Sequence, residues 1–237
     1  RMLCGLLRPT SGTALVGGDY QGKNAAVQNA TATTIKAGAK IKADATDNGN
    51  GGKVIVWSND KTIFDGFISA RGGANGGNGG FVETSGKVLN FTGGVDTLAP
   101  KGATGMWLLD PDVICLINAT SSGLGCSAAA FQGIGGQTWL SAGTERSIIF
   151  ESGAGSFDSM LSMSNVTLQA TTQIYVDTLF SYTSGVTGNR TIKFSAPSIV
   201  VEGDFNMSSL SRANFYFDAS GTALAPNRIA GVGVGSG

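Results

Sequence analysis

Apolar residues in this chain fall in short runs of β-branched and aromatic types, each closed by Gly, Asn, Asp or Ser. Early examples are Lys53-Val54-Ile55-Val56-Trp57, Thr62-Ile63-Phe64, Gly105-Met106-Trp107-Leu108-Leu109 and Val113-Ile114-Cys115-Leu116-Ile117. Later ones are Ser147-Ile148-Ile149-Phe150, Val166-Thr167-Leu168, Gln173-Ile174-Tyr175-Val176, Thr191-Ile192-Lys193-Phe194 and Ser198-Ile199-Val200-Val201. Runs of this length between turn formers predict strands. No long segment carries apolar residues at i, i+3, i+4 and i+7, so the pattern predicts strand and turn almost throughout.

The strands recur. An apolar residue, any residue, then Ala occurs at Ile41-Lys42-Ala43 and Ile68-Ser69-Ala70, and a looser copy at Val95-Asp96-Thr97 follows at the same interval. The triplet returns at Leu140-Ser141-Ala142, Leu168-Gln169-Ala170, Phe194-Ser195-Ala196 and Phe217-Asp218-Ala219, at intervals close to the first. A second register agrees: Gly51-Gly52-Lys53-Val54 is matched one such interval later by Gly79-Gly80-Phe81-Val82. A helix-free period of about 23 to 28 residues predicts a solenoid, and three short strands with three turns fill one coil of a parallel β-helix. Propeller blades need about 40 to 45 residues each, and a sandwich has no reason to repeat at this interval. Coils of this size imply roughly nine turns and a rod of about 40 Å.

Composition fits that expectation. Gly accounts for 37 of 237 residues, roughly twice the usual share, and Asn for 14, as stacked turns require. Disorder is excluded because 41% of the chain is hydrophobic and the net charge is zero. The charge balance also leaves no electrostatic footprint for nucleic acid. With no His, neither a Ser-His-Asp centre nor a His-ligated metal is available, and the three Cys show no C-x-x-C spacing. No cofactor is expected. Cys115 and Cys126 are spaced to close a short disulfide loop in an oxidising compartment, the alternative being two unpaired thiols; Cys4 is left over. No apolar stretch is long enough for a transmembrane helix.

The stretch from Asn50-Gly51-Gly52-Lys53-Val54-Ile55-Val56-Trp57-Ser58 through Thr62-Ile63-Phe64-Asp65-Gly66-Phe67-Ile68-Ser69-Ala70-Arg71-Gly72-Gly73 carries more than a period. It continues in Gly76-Gly77-Asn78-Gly79-Gly80-Phe81-Val82-Glu83-Thr84-Ser85-Gly86 and Leu108-Leu109-Asp110-Pro111-Asp112-Val113-Ile114. Together with Gly17-Gly18-Asp19-Tyr20-Gln21-Gly22-Lys23-Asn24, these runs closely resemble filamentous-haemagglutinin-like exoproteins of Gram-negative bacteria. The resemblance covers 12–117; 118–237 continues in strand style alone, and 1–11 fits neither the repeat nor a signal peptide. It implies a right-handed parallel β-helical shaft, export through an outer-membrane two-partner transporter, and adhesion to a host-cell glycan or protein receptor. The family's N-terminal export domain carries Asn-Pro-Asn-Gly or Asn-Pro-Asn-Leu motifs, and neither is present. The expectation is therefore one structural unit, an internal or truncated segment downstream of that domain, secreted or held at the cell surface.

Candidate chemistry is sparse. The run Arg71–Gly80 lacks the Gly-Lys-Ser/Thr ending of a phosphate loop and the tandem acids of a calcium roll, so it reads as a turn between coils. Some β-helices are polysaccharide lyases or hydrolases, and that enzyme class is the alternative function. Its candidate carboxylates are Asp110 with Asp112, flanking Pro111, and Glu202 with Asp204; the competing reading makes each pair an ordinary turn. Trp57, Trp107, Trp139, Tyr175 and Tyr216 offer a sugar-binding strip if exposed and core packing if not. The balance of these readings is a shaft rather than an enzyme.

Overall fold

Short β-branched strands cannot bury an apolar face alone, and here each strand does so by stacking on its equivalent in the next coil. The computed structural model describes residues 12–117, 146–150, 156–176, 189–201, 213–220 and 223–224. Three complete coils come first: β1 (Thr13–Val16), β2 (Ala32–Ile35) and β3 (Lys40–Lys42); β4 (Lys53–Val56), β5 (Lys61–Phe64) and β6 (Phe67–Ser69); β7 (Phe81–Thr84), β8 (Val88–Phe91) and β9 (Gly94–Asp96). The fourth holds β10 (Met106–Leu109), β11 (Val113–Ile117), β12 (Ser147–Phe150) and α1 (Phe157–Met163). Three more follow, with β13 (Asn165–Gln169) and β14 (Gln173–Val176), β15 (Arg190–Ala196) and β16 (Ser198–Val201), then β17 (Ala213–Ala219) and β18 (Ala223–Leu224).

All described strand pairs are parallel, and the chain is a parallel β-helix. Among the described residues, face 1 has seven strands in the order β1-β4-β7-β10-β13-β15-β17. Face 2 is β2-β5-β8 followed by β12-β11-β14-β16-β18, and face 3 is β3-β6-β9. The seven described strands, about 4.8 Å apart, span roughly 29 Å, against the roughly 40 Å expected of nine coils. Two long steps account for the difference. The chain runs from Thr13 to Lys53, and again from Met106 to Asn165, before it returns to face 1. The other steps on that face, such as Lys53 to Phe81 and Val166 to Ile192, keep the short period.

The repeat registers appear as strand registers. Ile41 pairs with Ile68 and Ile68 with Val95 on face 3, and Lys53-Val54 pairs with Phe81-Val82 on face 1. Leu168, Phe194 and Phe217 also pair in sequence, but on face 1, so the one triplet marks two different faces. Leu140-Ser141-Ala142 lies outside the described residues. Face 1 passes directly from β10 to β13.

Inward positions fill one core. Val54, Val82, Trp107, Val166 and Ile192 form a column down face 1, facing Phe64, Leu89, Phe91, Ile114 and Ile174 from face 2. Each such side chain contributes about 1.5–3 kcal/mol by leaving water. Stacked turns add ladders along the axis: Asn50 Oδ1 accepts from Asn78 N at 2.8 Å, and Asn78 Oδ1 from Ala103 N at 2.9 Å.

The fourth coil departs from the pattern. β12 pairs with β11, and its Ser147 Oγ accepts from Leu89 N of β8 at 2.9 Å, so it enters face 2 as an extra strand. On face 3, α1 takes the place of a strand above β9, with Thr97 N donating to Met163 O at 3.0 Å. This is the one α-helix among the described residues, which are otherwise strand and turn almost throughout, as the pattern predicts. Ser156 Oγ caps the helix by accepting from Ser159 N at 3.2 Å. Asp158 sits in the first turn, and Phe157, Met160 and Leu161 are buried at i, i+3 and i+4. Arg190 of β15 then closes the far end, its Nε donating to Leu161 O at 2.6 Å and one terminal nitrogen to Ser162 O at 3.1 Å. Those carbonyls have no partner within the helix. Arg190→Met keeps the bulk and removes the donors; it is expected to lower stability by about 1–3 kcal/mol in urea denaturation, with the β signal in circular dichroism retained.

Candidate functional site

Residues 17–31 lengthen the first coil and form a strap across the outer side of face 1. Its exit from β1 depends on Gly17 (φ +78°), where a Cβ would collide with Thr33 Oγ1 and the Trp57 carbonyl oxygen. A 3-10 turn at Tyr20–Gly22 forms the tip, started by Asp19, whose Oδ1 accepts from Tyr20 N at 2.7 Å. Gly18 and Gly22 lie against the Trp57 indole. The Tyr20 ring meets Phe81 edge-on at 5.9 Å, and Lys53 Nζ stands 5.1 Å from the centre of the Tyr20 ring.

Strand alternation sets what lies beneath. In β7, Val82 and Thr84 point inward, so Glu83 points outward, paired with Ile55 of β4 and Leu108 of β10. All three are buried, and Glu83 is 0% exposed. Its two carboxyl oxygens accept from Gln21 N, each at 3.2 Å. The Gln21 side chain reaches on, with Nε2 donating to Asp110 Oδ2 at 2.9 Å; Gln169 Nε2 approaches the same oxygen at 3.3 Å. Asp110 itself is buried at the end of β10, and its Oδ1 receives no hydrogen bond from the described residues. One residue from the first coil thus bridges acids of the third and fourth.

Burial dominates the electrostatics. It raises Glu83 from 4.5 to about 7, against the hydrogen bonds from Gln21 N and Ser85, with Asp110 adding to the rise and Lys53 opposing it. Asp110 is also raised by burial, opposed by Gln21 and Lys23 and assisted by Asp112. Tyr20 is raised by burial and by the two acids. Near neutral pH this pair therefore holds a proton that an exposed carboxylate would release. A raised acid beside a second carboxyl suits acid–base chemistry, but the strap tip occupies the space over Glu83 where a substrate would have to sit.

Neither a protein-family model nor a curated protein matches the chain.

The residues singled out from sequence separate under this geometry. Asp110 and Asp112 flank a corner between β10 and β11. Asp112 faces Thr171, whose Oγ1 donates to Asp112 Oδ1 at 2.7 Å, while Asp110 turns to Gln21 of the strap. Glu202 and Asp204 lie outside the described residues. Cys115 is disulfide-bonded, and the other two cysteines, Cys126 included, lie outside the described residues. Arg71–Gly80 is the turn between β6 and β7. Among the described residues the aromatic candidates form no strip: Trp107 and Tyr175 are buried, Trp57 is half-buried under the strap and Tyr216 is exposed; Trp139 lies outside the described residues. Among the described residues no three acids or cysteines gather to hold a metal, and no helix is long and apolar enough to cross a membrane. Glu83 and Gln21 escape a sequence reading. They lie far apart along the chain, and an acid at an outward strand position ordinarily faces water.

Proposed function

We propose that the chain is a segment of a secreted, surface-exposed bacterial filamentous adhesin, acting as shaft or interaction surface in attachment to host or neighbouring cells. One observation supports this most: the residues that carry the resemblance to filamentous-haemagglutinin-like exoproteins are the ones that build the coils. Gly51, Gly79 and Gly80 set the corner where successive turns touch, and Val54 and Val82 stack in register behind it. In-register parallel stacking spreads axial load over backbone hydrogen bonds and presents flat faces to a receptor. Under this reading the parent protein leaves the cell through an outer-membrane two-partner transporter and meets a glycan or protein receptor. Antibodies raised against the chain should label intact bacteria, and deletion of the gene should lower attachment to target cells several-fold. Labelling that requires permeabilised cells would overturn the proposal.

The Glu83–Asp110 pair favours a second reading, a β-helical carbohydrate-active enzyme. Release of new chain ends from an acidic polysaccharide, lost in both Glu83→Gln and Asp110→Ala, would put that reading first.

A further inference from the structure

The outward column of face 1 is buried only where the strap crosses it. Leu15 is 40% exposed and Thr167 and Lys193 are half-buried, while Ile55, Glu83 and Leu108 between them are closed off from water. The tip is fastened to that column chiefly through Gln21, by its backbone N–H to Glu83 and its side chain to Asp110. Gln21 is also strained: its φ of 53° makes it the one non-glycine residue with positive φ among the described residues. Such a conformation persists only where surrounding contacts impose it. The fastening and the strain therefore meet on two titratable groups that lie under the same tip.

We infer that residues 17–31 form a proton-gated strap, closed over face 1 while Glu83 is protonated and released from Glu83 and Asp110 once Glu83 ionises. Every group facing Glu83 bears on this. Gln21 N and Ser85 donate to it. Lys53 of β4 is the cation on the neighbouring strand, and it already lies over the Tyr20 ring. Asp110 adds negative charge, backed by Asp112; Lys23 Nζ is turned to Gln21 Oε1 at 2.7 Å, and Tyr20 brings a neutral phenol. Ionised and covered, Glu83 faces a second acid with no water; ionised and uncovered, it regains hydration. The sign follows. A carboxyl whose closed-state value is raised from 4.5 to about 7 favours closure fully below 4.5, and closure weakens as pH climbs from 4.5 to 7. Closed strap at acid pH, loosened strap above neutrality, is the outcome.

Hydrogen exchange read by mass spectrometry tests this on the full chain from pH 5 to pH 8, each rate corrected for the intrinsic pH dependence of amide exchange. Strap peptides, whose amides include Gly22 N bonded to Asp19 O at 2.8 Å and Ala30 N bonded to Gly17 O at 2.6 Å, report opening. Peptides from β7 and β8 report the shaft. Opening of the strap should rise roughly forty-fold between pH 5 and pH 7 and level off near pH 8, with the shaft peptides unchanged. Glu83→Gln, which still accepts from Gln21 N but cannot ionise, should remove most of that rise and keep the strap closed at pH 7. Asp110→Asn is the second variant and should move the transition to lower pH, because Asp110 contributes to the rise at Glu83. A wild-type strap insensitive to pH, the same slope in Glu83→Gln, or an unmoved transition in Asp110→Asn would each overturn the inference.

Discussion

Gly79→Ala should be among the most damaging single changes in the shaft, costing more than about 4 kcal/mol, where most substitutions cost about 1. The reason is backbone against backbone. A Cβ at Gly79 would overlap the Thr97 carbonyl oxygen, where the same coil closes, and Gly105 N, where the next one opens. Gly80 is hemmed in from the other side by Gly52 O and Gly51 C, and Gly105 by Gly80 O. These corners are also hydrogen-bonded, with Gly79 N donating to Ala103 O at 2.9 Å, Gly80 N to Ala70 O at 2.7 Å and Gly105 N to Thr97 O at 2.8 Å. No flexible side chain is available to move aside. A methyl group must push one coil from the next and break the ladder at that level. Gly76→Ala, in the same turn, is the control: its Cβ would meet only the Asn48 side-chain oxygen at 3.2 Å. That variant should stay within about 1 kcal/mol of wild type, because alanine also restricts the unfolded chain. Urea midpoints for the two variants compare like with like. Equal, small losses in both would show that the coils are not held at backbone contact there.

The same glycines explain which parts of the fold were legible in the chain. A coil that must return to the same height every turn repeats its strand starts, so Ile41, Ile68 and Val95 marked face 3 by spacing alone, and Gly51-Gly52 and Gly79-Gly80 marked the corner before face 1. What obeys no period left no such trace. The strap enters as extra length between β1 and β2, and its consequence, a buried acid, arises from Gln21 meeting Glu83 two coils further on. Asp110 was visible as a candidate, yet what its carboxyl meets is Gln21 of the strap, which also holds Glu83 on the neighbouring strand. Stacking of strands decides which side chains meet, and local spacing does not report it. The helix α1 did carry a signal, in Ser156, Asp158 and the triad Phe157, Met160 and Leu161. At two turns it is too short for periodicity to stand out, and it holds its place through Arg190 and face 3 rather than through propensity.

Trp107→Ala should cost about 3–5 kcal/mol, and more than its volume alone suggests. Trp107 belongs to the fourth coil of face 1, but its ring reaches across the core to Phe91 of the third coil, at 5.5 Å, and to Phe64 of the second, at 6.3 Å. Both contacts are edge-on, at 74° and 80°, the geometry aromatic quadrupoles prefer. One side chain therefore ties face 1 to face 2 over three levels of the solenoid. Its Nε1 also donates to Thr84 Oγ1 at 2.8 Å, and Thr84 is fully buried. Truncation opens a cavity that Phe64 and Phe91, each fixed on its own strand, cannot fill, and it leaves the Thr84 hydroxyl without that donor. Trp107→Phe keeps a ring in the gap and removes the N–H, so it should cost about 1–2 kcal/mol, the hydrogen bond and a smaller void together. The two parts separate in a double-mutant cycle. Thr84→Val removes the hydroxyl, and it should be costly in wild type but close to neutral beside Trp107→Ala, where the hydroxyl has already lost its partner. Strict additivity in urea denaturation would mean that the Trp107–Thr84 hydrogen bond contributes nothing and that the entire loss is packing.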